Sequence, residues 1–312
     1  MDLDGERRST NIEDRRGRGG GGGFSRGGGS GFRIPMGRGS LGLMAIVAVI
    51  YLLMGGNLSG LVSMFLGGGV TLPVGGSQQA ATPSGSQGLN RGVNQTAQEA
   101  ETADRVAAVL GSTEDVWATI FREAGQPYKP ATLVLFSGQT PSPCGAATTA
   151  SGPFYCPADA KVYLDMAFFD DMATQMAAGG DFAQAYVVAH EIGHHVQGEL
   201  GTLERAHAEM GRRNKAQANA ISVRIELQAD CYAGIWAARA QRARPILQPG
   251  DLEEAVAAAQ AVGDDRLQKQ AQGYVVPDSF THGTSAQRVT WFQRGYQTGD
   301  VNQCDTFSAR TL

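Results

Sequence analysis

From Ala97 onward, apolar positions recur mostly at helical spacing. AQEAETADRVAAVLG and STEDVWATIFREAG read as two helices, with Ser112 as N-cap of the second and Glu114 and Asp115 in its first turn. Pro127 and Pro130 break that pattern. ATLVLFSG, Ala131 to Gly138, is a short continuous apolar run and predicts a strand. FYCP and KVYLD follow as strands that can pair in a small sheet, and MAFFDDMATQM returns to helical spacing. Asp181 opens FAQAYVVAHEIGHHVQGELG, whose apolar residues predict a largely buried helix ending near Gly201. Leu203 to Ala243 is helical again, with a polar turn near Arg212 to Lys215. DLEEAVAAAQAVG and SAQRVTWFQRGYQTG predict two more helices. The class is α+β, mostly α, with a small β-sheet and no internal repeat.

The first hundred positions follow other rules. Residues 1–38 hold Gly runs, eight Arg, five acidic residues and almost no aliphatic side chains. Such a stretch predicts a disordered Gly/Arg-rich tail. Its Arg-Gly repeats resemble RNA-binding boxes, but a solvated tail is the simpler reading. The net charge of −4 also speaks against a nucleic-acid partner. No charged residue occurs between Arg38 and Arg91, and Leu41 to Met54 is apolar apart from Gly42 and Tyr51. Continued through Leu61, this stretch is long enough for one transmembrane helix over 39–61. The long charged stretch before it argues against a cleaved leader. Arginines on its N-terminal side predict a single-pass protein with a cytoplasmic N-terminus. Residues 62–96 read as a flexible linker. The folded domain, 97–312, is then periplasmic or extracellular. Cys144, Cys156, Cys231 and Cys304 all fall in it, and an oxidising compartment suggests two disulfides. Cys144 and Cys156 flank a short loop and are natural partners, which leaves Cys231 with Cys304.

Three of the five histidines crowd into AHEIGHHVQ. His190 and His194 are four apart, so a helix stacks them on one face, where both can reach one zinc ion. Glu191 beside them can serve as general base, the HExxH arrangement. Two imidazoles and a carboxylate in an apolar helix are costly unless paired, and a metal accounts for them. Gln197 and Leu200 stand where the longer three-histidine pattern needs Gly and His. Glu226, in SVRIELQADCYAG, is the third-ligand candidate. Asp230 shares its helical face and can orient a ligand histidine. His195 points about 100° away from His194 and reads as packed.

HEIGH followed by ELQAD resembles the glutamate-ligand zincins. GPFYCP, KVYLD, AHEIGHHVQ, ELQADCYAGIWA and FTHGTSAQR together resemble a bacterial family of neutral zinc metallopeptidases over roughly Ala97 to Phe307. That resemblance implies a zincin-like domain, one Zn²⁺ ion, a peptide or protein substrate and a membrane anchor. Some membrane zinc proteases carry a similar Thr-His element near the metal. That resemblance implies His282, at the entry to the last helix where Thr281 or Thr284 could cap, as a candidate oxyanion donor, with Tyr274 its rival. The expected activity is peptide hydrolysis through a zinc-activated water. A strand near Ala131 to Phe136 would pair with the substrate. A non-catalytic, zinc-stabilised scaffold at the membrane is the alternative, and an intact Glu191 speaks against it.

Overall fold

The computed structural model describes residues 1–17 and 96–312. The chain divides into two units, Met1–Gly21 with Val93–Leu312 and Gly22–Gly92. The described residues belong to the first. The expected transmembrane helix over 39–61 and nearly all of the linker expected over 62–96 lie outside them. Among the described residues, no helix is long and apolar enough to cross a membrane.

Strand β1 spans Ile12–Asp14, and helix α1 spans Ala97–Glu123. Strands β2 (Thr132–Phe136), β3 (Gln139–Ser142), β4 (Gly145–Thr148), β5 (Phe154–Cys156) and β6 (Lys161–Asp165) follow. Then come helices α2 (Ala167–Thr174), α3 (Asp181–Glu199), α4 (Thr202–Met210) and α5 (Lys215–Ala243). Helices α6 (Asp251–Ala261), α7 (Asp264–Gln272) and α8 (Ser285–Thr298) close the fold. The architecture is α+β and mostly helical.

The main sheet runs in the order β1-β2-β6-β5. β1, β2 and β6 are parallel, and β5 is antiparallel to β6. Side chains alternate across it. Leu133, Leu135, Val162 and Leu164 face the helical core. Val134, Phe136 and Tyr163 face the other way and form a smaller core with Ala147 and Cys156. β2 is thus buried on both faces, which explains its unbroken apolar run. It is also an inner strand. The expectation that Ala131 to Phe136 offers an edge to a peptide therefore fails, and the edges of this sheet are β1 and β5.

The helical core centres on α3 and α5. Phe182 of α3 stacks on Trp236 of α5, and the Trp236 indole donates to Ser112 Oγ of α1. Ser112 is therefore a buried mid-helix residue and not a cap. The two helices expected before Gly125 are one, capped at Thr96 by a reciprocal pair with Glu99. Disulfides join Cys144 to Cys156 and Cys231 to Cys304.

The disordered tail expected over 1–38 is corrected for its first 17 residues. Ile12–Asp14 lies in ladder register with Leu133–Leu135. Met1, Leu3 and Ile12 pack on the main core. Polar contacts supply what aliphatic area does not. The Ser9 hydroxyl and the Asn11 amide donate to Glu114, Arg7 pairs with Glu114, and Arg8 pairs with Asp104. Strands of one ladder lie on one side of any membrane. A single crossing by 39–61, with a cytoplasmic tail and an exported domain, does not fit the β1–β2 pair.

Candidate metal centre

Helix α3 carries His190, Glu191 and His194, and α5 carries Glu226 and Asp230. Their axes approach closely at Gly193, where a Cβ would stand 2.9 Å from the Ala229 carbonyl oxygen. The unnamed x before His194 in HExxH is therefore small for a packing reason. It lets the Glu226 carboxylate reach both imidazoles.

His190 Nε2 lies 3.3 Å from Glu226 Oε2, and His194 Nε2 lies 3.5 Å from Glu226 Oε1. Three ligand atoms ~2.0–2.1 Å from a tetrahedral zinc would sit about 3.3 Å apart. One atom each from His190, His194 and Glu226 falls within a mutual 4.8 Å. The donor set, two imidazole nitrogens and a carboxylate, suits zinc and leaves a fourth position for water. A second acidic group, Asp181, Asp251 and Glu254, also meets that spacing, but the Met1 ammonium pairs with Asp181 and Asp251 there.

Asp230 holds His190 in place. Its Oδ1 accepts from Tyr186 Oη at 2.5 Å and from Arg288 Nη2 at 2.9 Å, and lies 2.9 Å from His190 Nδ1. Its Oδ2 accepts from Arg288 Nε at 2.9 Å. With Nδ1–H donated to the carboxylate, His190 Nε2 is free for a metal. Burial alone would lower the His190 pKa, but the Asp230 carboxylate outweighs it and raises it to about 9. Glu226 moves the other way. Burial alone would raise it, but His194 and His190 hold it well below the carboxylate range. A metal held by these groups would compete with protons for the same lone pairs.

Tyr186 and Arg288 were missed from sequence. Their signals are thin. Tyr186 precedes His190 by one turn, and Arg288 is a charge on the face that also carries Trp291 and Phe292, both buried. His195 stands apart from the cluster. Its Nε2 bonds the Lys129 carbonyl at 2.6 Å, and its ring sits edge-on to Tyr128 and Tyr155.

His282 lies close enough to Glu226 for their charges to bear on each other. Its Nδ1 is 3.2 Å from Asp264 Oδ1. Asp264 Oδ2 accepts the backbone N–H groups of Thr281, His282 and Gly283. Thr284 caps α8. Tyr274, the rival donor, is 62% exposed.

A pair of histidines one helical turn apart, a glutamate from a second helix and a glutamate beside the first histidine make up an HExxH arrangement with a third candidate ligand. The chain belongs to the family described as "Putative neutral zinc metallopeptidase", whose model matches residues 1–307. YpfJ of Escherichia coli strain K12 is 47% identical over 307 residues, 98% of this chain and 99% of that protein. Rv2575 of Mycobacterium tuberculosis strain H37Rv and Mb2605 of Mycobacterium bovis are each 48% identical over 218 residues. Those two matches cover 67% of this chain and 71% of each relative. No solved structure matches. The likeness was expected to begin near Ala97. The family model matches from residue 1.

Proposed function

We propose that this chain is a zinc-dependent endopeptidase. The observation that carries the reading is the meeting of His190, His194 and Glu226, with Glu191 on the same helical turn. A zinc ion held by these three residues would lower the pKa of water toward ~7 and polarise a carbonyl. Glu191 accepts a proton from the attacking water and returns it to the leaving amine. His282, braced by Asp264, donates to the oxygen that gains charge as the carbonyl becomes tetrahedral. β5 is the free edge for an extended peptide, and its Tyr155 packs against His195 of α3.

The apolar stretch 39–61 attaches the protein to a membrane, with both of its flanks on one side. The two disulfides favour an oxidising compartment, periplasmic or extracellular.

The test compares purified protein with its Glu191→Gln variant. We expect about one equivalent of zinc in each. Caseinolysis should fall by at least ~10²-fold in the variant. Equal activity in both proteins would remove Glu191 from the mechanism. Zinc binding with no turnover of any peptide would favour the scaffold reading instead.

A further inference from the structure

His190 is oriented by a carboxylate, and His194 needs a partner of its own. Its Nδ1 lies 2.9 Å from Gln197 Oε1. A glutamine amide could face a histidine with either end, so the rest of its bonds decide. Gln197 Nε2 lies 2.8 Å from the Ile225 carbonyl oxygen, which can only accept. The same nitrogen lies 3.1 Å from Gln228 Oε1. Gln228 in turn places its Nε2 2.9 Å from the Cys304 carbonyl, another obligate acceptor. Cys304 is fixed by its disulfide to Cys231, one turn beyond Gln228 on α5. Both glutamines are buried, Gln197 completely, where an unpaired amide would be costly.

Two backbone carbonyls therefore dictate how two amides face. The direction runs one way, from Cys304 through Gln228 to Gln197, and leaves only an acceptor for His194. We propose that Gln197 is the positioning residue for His194. It fixes the Nδ1–H tautomer so that Nε2, 3.5 Å from Glu226 Oε1, keeps its lone pair for a metal. Gln228 and the disulfide-held carbonyl of Cys304 keep the Gln197 amide in that orientation. The inference deepens the metal-centre reading and rests on it.

The experiment uses the full chain. In metal-free wild-type protein labelled with ¹⁵N-histidine, the neutral form of His194 should show its proton on Nδ1. A proton on Nε2 overturns the proposal. Gln197→Met keeps the side chain's length and removes the acceptor. Its zinc dissociation constant should rise roughly 10–100-fold. The visible spectrum of its cobalt form should change, and Gln228→Met should act in the same direction with a smaller effect. If Gln197 merely ties α3 to α5, Gln197→Met will lower the melting temperature of the metal-free protein. Zinc affinity and cobalt spectrum would then be unchanged, and that result overturns the proposal. Wild-type protein that binds neither metal would sink the metal centre and this inference together. Tight zinc binding without peptidase activity would sink the proposed reaction and leave Gln197 in its role.

Discussion

At the scale of single residues, Asp264 and His282 form a pair whose effect on stability can be signed. Burial alone would raise the Asp264 pKa, but bonds from His282 and from the loop N–H groups lower it below 3.8. Burial alone would lower the His282 pKa, but Asp264 and then Glu226 raise it above 6.5. A depressed carboxylate contributes stability above its unfolded value and loses it as pH falls. A raised imidazole contributes below its unfolded value and loses it as pH rises. In metal-free protein the pair therefore contributes fully between about pH 4 and 6.5. With the His282 side chain 48% exposed, its share is under ~1 kcal/mol. The stability difference between wild type and His282→Gln should peak in that window and shrink on either side. A difference that is flat from pH 3 to 9 would show that the pair does not ionise as drawn. His190 and His194 were legible because helical spacing alone stacks them, and Glu191 because it stands beside the first of them in the HExxH pattern. Glu226 and Asp230 were legible because two acids shared a face in apolar company. Tyr186, Arg288 and Gln197 were not, because each earns its place through a partner on another helix that no local pattern encodes.

At the scale of elements, helix boundaries were visible in sequence at Asp181 and Gly201, and the start of the last helix was narrowed to Thr281 or Thr284, of which Thr284 is the cap. What misled was glycine. Gly111 looked like the end of one helix, yet α1 runs through it without a break. The reason is tertiary. A Cβ at Gly111 would stand 2.1 Å from the Arg7 carbonyl oxygen, so the bare position is where the N-terminal segment lies on the helix. In an open helix interior, replacing Gly by Ala gains up to ~1 kcal/mol. Here the sign should reverse. Gly111→Ala should lower the melting temperature and open residues 1–17 to protease attack. A higher melting temperature with that segment still protected would mean that it does not pack there. β1 escaped notice for a related reason. IED carries one apolar residue, and its strand geometry is imposed by β2, whose apolar run was easy to see.

At the scale of the whole molecule, composition pointed to a charged tail, a span and an exported domain, and the first 17 residues of that tail took part in the fold instead. Residues 1–17 and 96–312 flank the apolar stretch, and β1 pairs with β2 across that gap in sequence. The Met1 ammonium meets Asp181 at the start of α3, the helix that bears both histidines of the metal cluster. The family match likewise runs through both flanks. A chain that crosses a membrane once cannot form this ladder, while one that crosses an even number of times, or not at all, can. Single cysteines at Asp4 and Glu253, both exposed, test the two flanks. The four native cysteines are paired and should not compete for the label. A membrane-impermeant maleimide added to intact cells, or to spheroplasts, should label both positions or neither. Permeabilised cells should label both. One position labelled without the other would mean that the flanks lie on opposite sides, and the β1–β2 ladder could not exist in the membrane-bound protein.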